Sequence, residues 1–297
     1  MKILITGANG LLGQYLTKIL LDKSDYIIIA TGKGEKRLHV TENNRFQYHS
    51  LDITNGLAAS EFYHQQKPDI IVHAAAATQV DDCELNKVSC WDTNVTATRF
   101  LTEAAKKIDC YVIFVSTDFV FDGDNGPYKE DAIPNPVNYY GSSKLAGEKE
   151  IVSSELKFCI VRTCLVYGNN SNGNKSNIVN WVKENLEQGK KIKIICDQWR
   201  TPTYVEDLAK GIFLIIEKKA TGIFHISGNE MLTPYDMAIA TAEYLKLDKS
   251  LIEKADASTF TQPAKRPPKT GFIIEKAKTE LAYMPITFKE SLKKMFA

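Results

Sequence analysis

Unbroken apolar, β-branched runs alternate with amphipathic stretches through the first half of the chain. The first run is Ile3-Leu4-Ile5-Thr6, and residues 26–31, 68–74, 110–116 and 158–162 repeat the pattern, with residues 45–51 read as a further strand. Runs of this length without polar interruption predict strands buried on both faces. Between them, apolar positions recur at helical spacing: Leu11-Leu12, Tyr15-Leu16 and Ile19-Leu20-Leu21 form one such face, and residues 94–107 predict another helix. Strand–helix–strand units with right-handed crossovers wind into a doubly wound parallel sheet, so the expected class is α/β. Beyond Gly168 the texture changes. Residues 169–177 (NNSNGNKSN) read as a polar loop, residues 178–188 as a helix and residues 191–196 as a strand. The tail mixes short helices with a Pro-rich loop at residues 262–268.

Gly7, Gly10 and Gly13 follow the first strand at three-residue spacing and lead into the Leu11-Leu12 helix. A strand, a glycine turn and a helix N-terminus make an anion site, because backbone N–H groups and the positive end of the helix dipole face the same point. This makes the sheet Rossmann-like and the cofactor a dinucleotide. The chain divides on this reading into a dinucleotide-binding domain at residues 1–168 and a smaller substrate-binding lobe at residues 169–297. Segments near residues 200–228 are expected to return to the large sheet.

Two further stretches carry candidate chemistry. Tyr140 and Lys144 stand four apart in Tyr140-Gly141-Ser142-Ser143-Lys144, which puts them on one helix face. A neighbouring ammonium is expected to lower the phenol from its ordinary value of about 10 and make it a usable proton donor. Ser116-Thr117-Asp118 closes the fifth strand, where doubly wound sheets bind their ligands. Read alone, that triplet would be a helix cap.

Taken with TGANGLLG at 6–13, PDIIVHAAAATQVDDCE at 68–84, STDFVFDG at 116–123, NPVNYYGSSKLAGE at 135–148, RTCLVYG at 162–168 and DQWRTPTYVEDLA at 197–209, these motifs run nearly end to end. The chain resembles the extended short-chain dehydrogenases/reductases, and within them the dTDP-4-dehydrorhamnose reductase family. The resemblance implies an NAD(P)-dependent oxidoreductase of dTDP-rhamnose biosynthesis that reduces the 4-keto group of a nucleotide-linked 6-deoxysugar. It implies Thr117, Tyr140 and Lys144 as the catalytic set. Cofactor contacts would come from Gly7, Gly10, Leu11, Leu12 and Gly13 at the pyrophosphate, Thr31 and Lys33 after the second strand, and Asp52 and Ile53 at the adenine. Ala74, Ala75, Ala76 and Asn94 would line the groove, with Tyr140 and Lys144 at the nicotinamide end. Asp118, Arg200 and Arg266 would face the substrate. Arg200 stands where the family string suggests a small residue, and Gly271-Phe272 departs from the family's continuation after Arg266-Pro267.

Cofactor choice turns on the end of the second strand. Ala30-Thr31-Gly32-Lys33 lacks the acidic residue that bonds an NAD ribose, and Lys36-Arg37 follow, which favours NADP; Glu35 leaves NAD open. Two alternatives use the same motifs: a nucleotide-sugar epimerase or dehydratase, and a regulatory cofactor-binding subunit resembling methionine adenosyltransferase β, notably at residues 222–230 (GIFHISGNE). A homodimer is expected by analogy with the superfamily.

The net charge of +1 gives no pull towards nucleic acid or an anionic membrane. No apolar run approaches the roughly 18 residues of a membrane helix, and the immediate first strand leaves no room for a signal peptide. The six cysteines contain no CxxC and the five histidines no HExxH, so no metal site is expected. The expected location is cytoplasmic, with reduced core thiols and with His73 and His225 as packing residues.

Overall fold

In the computed structural model, which describes residues 1–169 and 177–297, the apolar runs pair side by side in parallel. They form β1 (Lys2–Thr6), β2 (Ile27–Gly32), β3 (Phe46–Ser50), β4 (Ile70–His73), β5 (Tyr111–Thr117) and β6 (Phe158–Thr163). The chain then makes β7 (Val166–Tyr167), β8 (Ile192–Ile195), β9 (Thr203–Tyr204), β10 (Gly222–His225) and β11 (Ile252–Ala255). Among the described residues the large sheet has seven strands, ordered β3-β2-β1-β4-β5-β6-β10. Except for its two end residues, the polar loop expected at 169–177 lies outside the described residues.

Helices connect the strands. The first six are α1 (Leu11–Lys23), α2 (Gly56–Gln66), α3 (Val80–Leu85), α4 (Lys87–Trp91), α5 (Ala97–Lys107) and α6 (Tyr139–Ser153). After them come α7 (Ile178–Glu187), α8 (Val205–Lys218), α9 (Pro234–Leu245), α10 (Glu275–Leu281) and α11 (Phe288–Phe296). Because successive strand side chains point to opposite faces, each strand feeds two cores. Ile3 and Ile5 of β1 join Leu16 and Leu20 of α1, Leu208 and Ile212 of α8 and Leu281 of α10. Leu4, between them, joins Tyr63 of α2, Leu101 of α5 and Ile151 of α6. Both faces are therefore covered, which is why the strands read as unbroken apolar runs.

A second, smaller packing unit joins α7, α9, β8 and β11 through Val182, Leu186, Ile192, Ala238 and Ile252. Between β8 and α9 the chain returns from it to the large sheet. β10 pairs with β6 at the sheet edge, and α8 packs beside α1 within the first core.

The expected helix at 94–107 is the last part of a longer helical run that starts at Lys87. α4 passes into α5 through a widened turn at Asp92–Thr96 with i→i+5 bonds. Such turns are uncommon and cluster at functional sites. Asn94 sits in this one.

Candidate active site

The register brings the strand ends level: Thr6 lies opposite Thr31 and His73, and Thr117 lies opposite Thr163. The order of connection reverses between β1 and β4, and a groove of about 1920 Å³ opens there. A pocket for one drug-sized ligand runs to about 300–1,000 Å³, so this groove has room for a dinucleotide and a second ligand together.

Its floor at one end is the glycine turn. Gly7 has φ +72°, and a Cβ there would come within 2.7 Å of the Ala75 nitrogen. A Cβ on Gly13 would stand 2.5 Å from Ala8 Cα and 2.6 Å from Gly7 O. The turn can close only without side chains at these two positions. α1 begins after Gly10 with no side-chain cap, so the leading N–H groups of Leu11, Leu12 and Gly13 open on the groove as donors for an anion. These features fit a dinucleotide pyrophosphate.

Asn9 ties the turn to the loop after β2. Its amide donates to Glu35 O at 2.9 Å and to Tyr48 Oη at 2.9 Å, and its Oδ1 accepts from Arg37 N at 2.9 Å. Arg37 and Lys33 line the groove as a result. The Lys33 ammonium pairs with Asp52 at 2.8 Å, and that hydrogen bond, with others from Thr54, holds the Asp52 carboxyl down to about 2. Ile53, Ala74, Ala75 and Ala76 line the adjoining wall.

At the other end α6 presents Tyr140 and Lys144. Asn138 caps the helix by accepting from Gly141 N at 2.8 Å. Thr117 and Asp118 reach the same space from the end of β5. The expected lowering of the Tyr140 phenol by Lys144 is not found. Burial raises the phenol, and only the hydrogen bond with Thr117 opposes that rise. Lys144 Nζ lies 4.1 Å from the centre of the Phe114 ring, and burial lowers its ammonium to about 8. Ser116 Oγ, also on the groove, is buried without a hydrogen-bond partner.

Three expected contacts do not reach the groove. Thr31 is fully buried and donates its hydroxyl to Ile5 O at 3.2 Å, locking β2 to β1. Asn94 spends its amide inside the protein, accepting from Ala77 N at 2.8 Å and donating to Ala77 O at 3.0 Å and Ser143 Oγ at 2.9 Å. It props α6 rather than facing a ligand. Arg266 forms a fork with Asp81, at 2.5 and 2.6 Å, and donates to Ala264 O at 2.7 Å. Arg200 does line the groove, but its guanidinium is spent on Trp199 O at 2.8 Å, Pro267 O at 2.8 Å and Pro268 O at 3.3 Å.

His73 packs as expected and also links the site. Thr98 Oγ1 donates to Asn94 O at 2.8 Å and so accepts from His73 Nε2 at 3.2 Å. His73 Nδ1 then accepts from Thr6 Oγ1 at 2.7 Å, and that oxygen accepts from Ala75 N at 3.2 Å. Burial holds the ring neutral, down to about 3. Gln198, Thr163 and Phe119 also line the groove; each lies inside one of the family strings, which do not by themselves single it out. Asn9, by contrast, could have been found as the polar residue inside the glycine turn. No cluster of metal-binding side chains occurs among the described residues, and none of their helices is long and apolar enough to cross a membrane.

The profile of the RmlD substrate binding domain matches residues 1–297. A dTDP-4-dehydrorhamnose reductase of Aggregatibacter actinomycetemcomitans is 32% identical, over 100% of this chain and 98% of that protein. The methionine adenosyltransferase 2 subunit beta of Xenopus tropicalis is 32% identical over 84% of this chain and 73% of that protein. The crystal structure of dTDP-4-dehydrorhamnose reductase from Bacillus anthracis in complex with NADP superposes with a TM-score of 0.86 at 27% identity, covering 99% of this chain and 98% of that one. Profile, reductase relative and fold agree over the whole length: the chain belongs to the RmlD substrate binding domain family, that of the dTDP-4-dehydrorhamnose reductases.

Proposed function

We propose that this protein is an NADP(H)-dependent reductase of the 4-keto group of a nucleotide-linked 6-deoxysugar, dTDP-4-dehydrorhamnose or a close relative. The observation that carries the reading is convergence on one groove: a glycine turn with an uncapped helix N-terminus at one end, and Thr117, Tyr140 and Lys144 at the other. The similarity to a reductase over essentially its full length supports the same reading. The regulatory alternative gains nothing separate, because the methionine adenosyltransferase relative matches over a smaller share of both chains.

NADPH, when bound, supplies the hydride. Gly7–Gly13 would hold its pyrophosphate, and Lys33 with Arg37 would favour a 2′-phosphate over a bare ribose. The Lys144 ammonium would bond the nicotinamide ribose. Tyr140 would give its phenolic proton to the sugar O4 as the hydride reaches C4, with Thr117 beside it at the end of β5. In this scheme residues 1–168, with the returning segments near 200–228, carry the cofactor, and residues 169–297 shape the substrate end. Cytoplasmic residence belongs to the same reading and is supported by five buried free thiols.

Tyr140→Phe tests the assignment. Loss of a general acid costs about 100-fold or more in turnover, whereas NADPH affinity should stay within about threefold because the phenyl ring keeps its packing against Phe119. A variant with full activity would refute it.

A further inference from the structure

At the substrate end Asp118 is 3% exposed, and it lies next in line behind Thr117. The Thr117 hydroxyl donates to Oδ1 at 3.2 Å, and the Thr270 hydroxyl donates to Oδ2. The Cys164 thiol faces the carboxyl from just beyond β6, and Tyr140 faces it from α6. Its cation is Arg200, whose Nε stands 3.5 Å from Oδ2. Arg200 is itself 4% exposed, and its remaining donors hold the carbonyls of Trp199, Pro267 and Pro268. The guanidinium therefore has a fixed position that owes nothing to a ligand. It also lies 5.5 Å from the Phe119 ring, which meets Tyr140 edge-on at 5.9 Å.

A carboxyl withdrawn from water takes up a proton unless a cation holds it as the anion. The state matters here because it sets the direction of the next hydrogen bond. As a carboxylate, Asp118 can only accept, so it orients the Thr117 hydroxyl. As a carboxylic acid it becomes a donor and can turn that hydroxyl round. The negative charge also opposes loss of the Tyr140 proton. A cation beside Asp118 offsets that charge.

We propose that Arg200 is a positioning residue for the reduction: it holds Asp118 as a charge-compensated carboxylate, which fixes the orientation of the Thr117 hydroxyl. The proposal rests on the reading of Thr117 and Tyr140 given above. It also explains how an arginine lies against the substrate pocket without serving as a substrate contact.

The test uses Arg200→Met and Arg200→Lys in the full-length protein. Infrared difference spectra of aspartate-labelled protein, assigned with Asp118→Asn, read the carboxyl directly. The wild type should show Asp118 ionised at pH 7, and Arg200→Met should show it protonated. In steady state, Arg200→Met should lower kcat about tenfold or more with the KM for NADPH unchanged. The acid limb of its kcat profile should move up by about one pH unit or more. Arg200→Lys should restore the limb. A folded Arg200→Met protein with an ionised Asp118 and the wild-type pH profile would overturn the proposal. If Arg200→Met does not fold, a protonated Asp118 in the wild type, or a shifted limb in Arg200→Lys, overturns it equally. If the wild type reduces no 4-keto sugar, the proposed function fails, while the spectra still decide whether Arg200 holds the charge on Asp118.

Discussion

Replacing Lys144 with methionine should stabilise the cofactor-free protein while abolishing turnover. The Lys144 side chain is 2% exposed and rests on the Phe114 ring. Burial lowers its ammonium from 10.5 to about 8, even though Glu148 attracts it. One pH unit corresponds to about 1.4 kcal/mol, so carrying the charge costs the fold about 3 kcal/mol at neutral pH. Below pH 8 the folded and unfolded chains both hold the proton and the cost is constant. Between about 8 and 10.5 the unfolded chain alone holds it, so wild-type stability rises with pH, and above 10.5 the cost is gone. Methionine has similar length and no charge, so the variant escapes the cost throughout. Urea unfolding of both proteins at pH 7 and near pH 10 measures the gap. It should be about 3 kcal/mol in favour of Lys144→Met at pH 7 and should narrow steadily towards pH 10. NADPH binding should weaken at the same time, a trade of stability against function. A variant less stable than the wild type at pH 7, or a gap that does not change with pH, would refute the reasoning.

Gly13→Ala should destabilise the fold by about 1–3 kcal/mol and weaken NADPH binding, because its Cβ would meet backbone atoms of Ala8 and Gly7 that cannot move independently. A thermal melt and a cofactor titration check both effects. Glu148→Gln should cost about 3–5 kcal/mol, since it leaves the buried Arg162 guanidinium without the carboxylate it now meets at 2.7 and 2.9 Å; denaturant midpoints measure the loss. His73 and His225 are both held neutral by burial, down to about 3, so their lowered values favour the fold above pH 6.5 and turn against it as the medium acidifies towards pH 3. At pH 5 each should have cost about 2 kcal/mol relative to pH 7, and a urea series across that range on the wild type and His73→Gln should show the variant losing less.

Strands β1, β4, β5 and β6 were legible because burial on both faces keeps their middle positions apolar, and the glycine turn because its spacing serves a backbone geometry. β10 was harder. It opens on Gly222 and has four residues, so the expected return near residues 200–228 takes its strand bounds only from the pairing with β6. Side-chain partners were the least legible. Asn94 reads as a groove residue until Ala77 and Ser143 take its amide, and Arg266 finds Asp81 at a separation of 185 residues. Arg200 likewise reads as a ligand contact until three carbonyls occupy it. The spacing of Tyr140 and Lys144 put both on one face, but spacing carries no information on burial, which raises the phenol and sends the ammonium over Phe114. Sequence supplies residue types and local spacing, whereas these partners are set by distant segments brought together in the fold.

The most direct measurement is NADPH oxidation, followed at its absorbance band, with a dTDP-4-keto-6-deoxysugar generated in situ by a dehydratase. Loss of NADPH that depends on the sugar is the predicted result. Tight NADPH binding with no turnover would contradict the reductase assignment, and no binding at all would contradict the reading of Gly7–Gly13 as the pyrophosphate site.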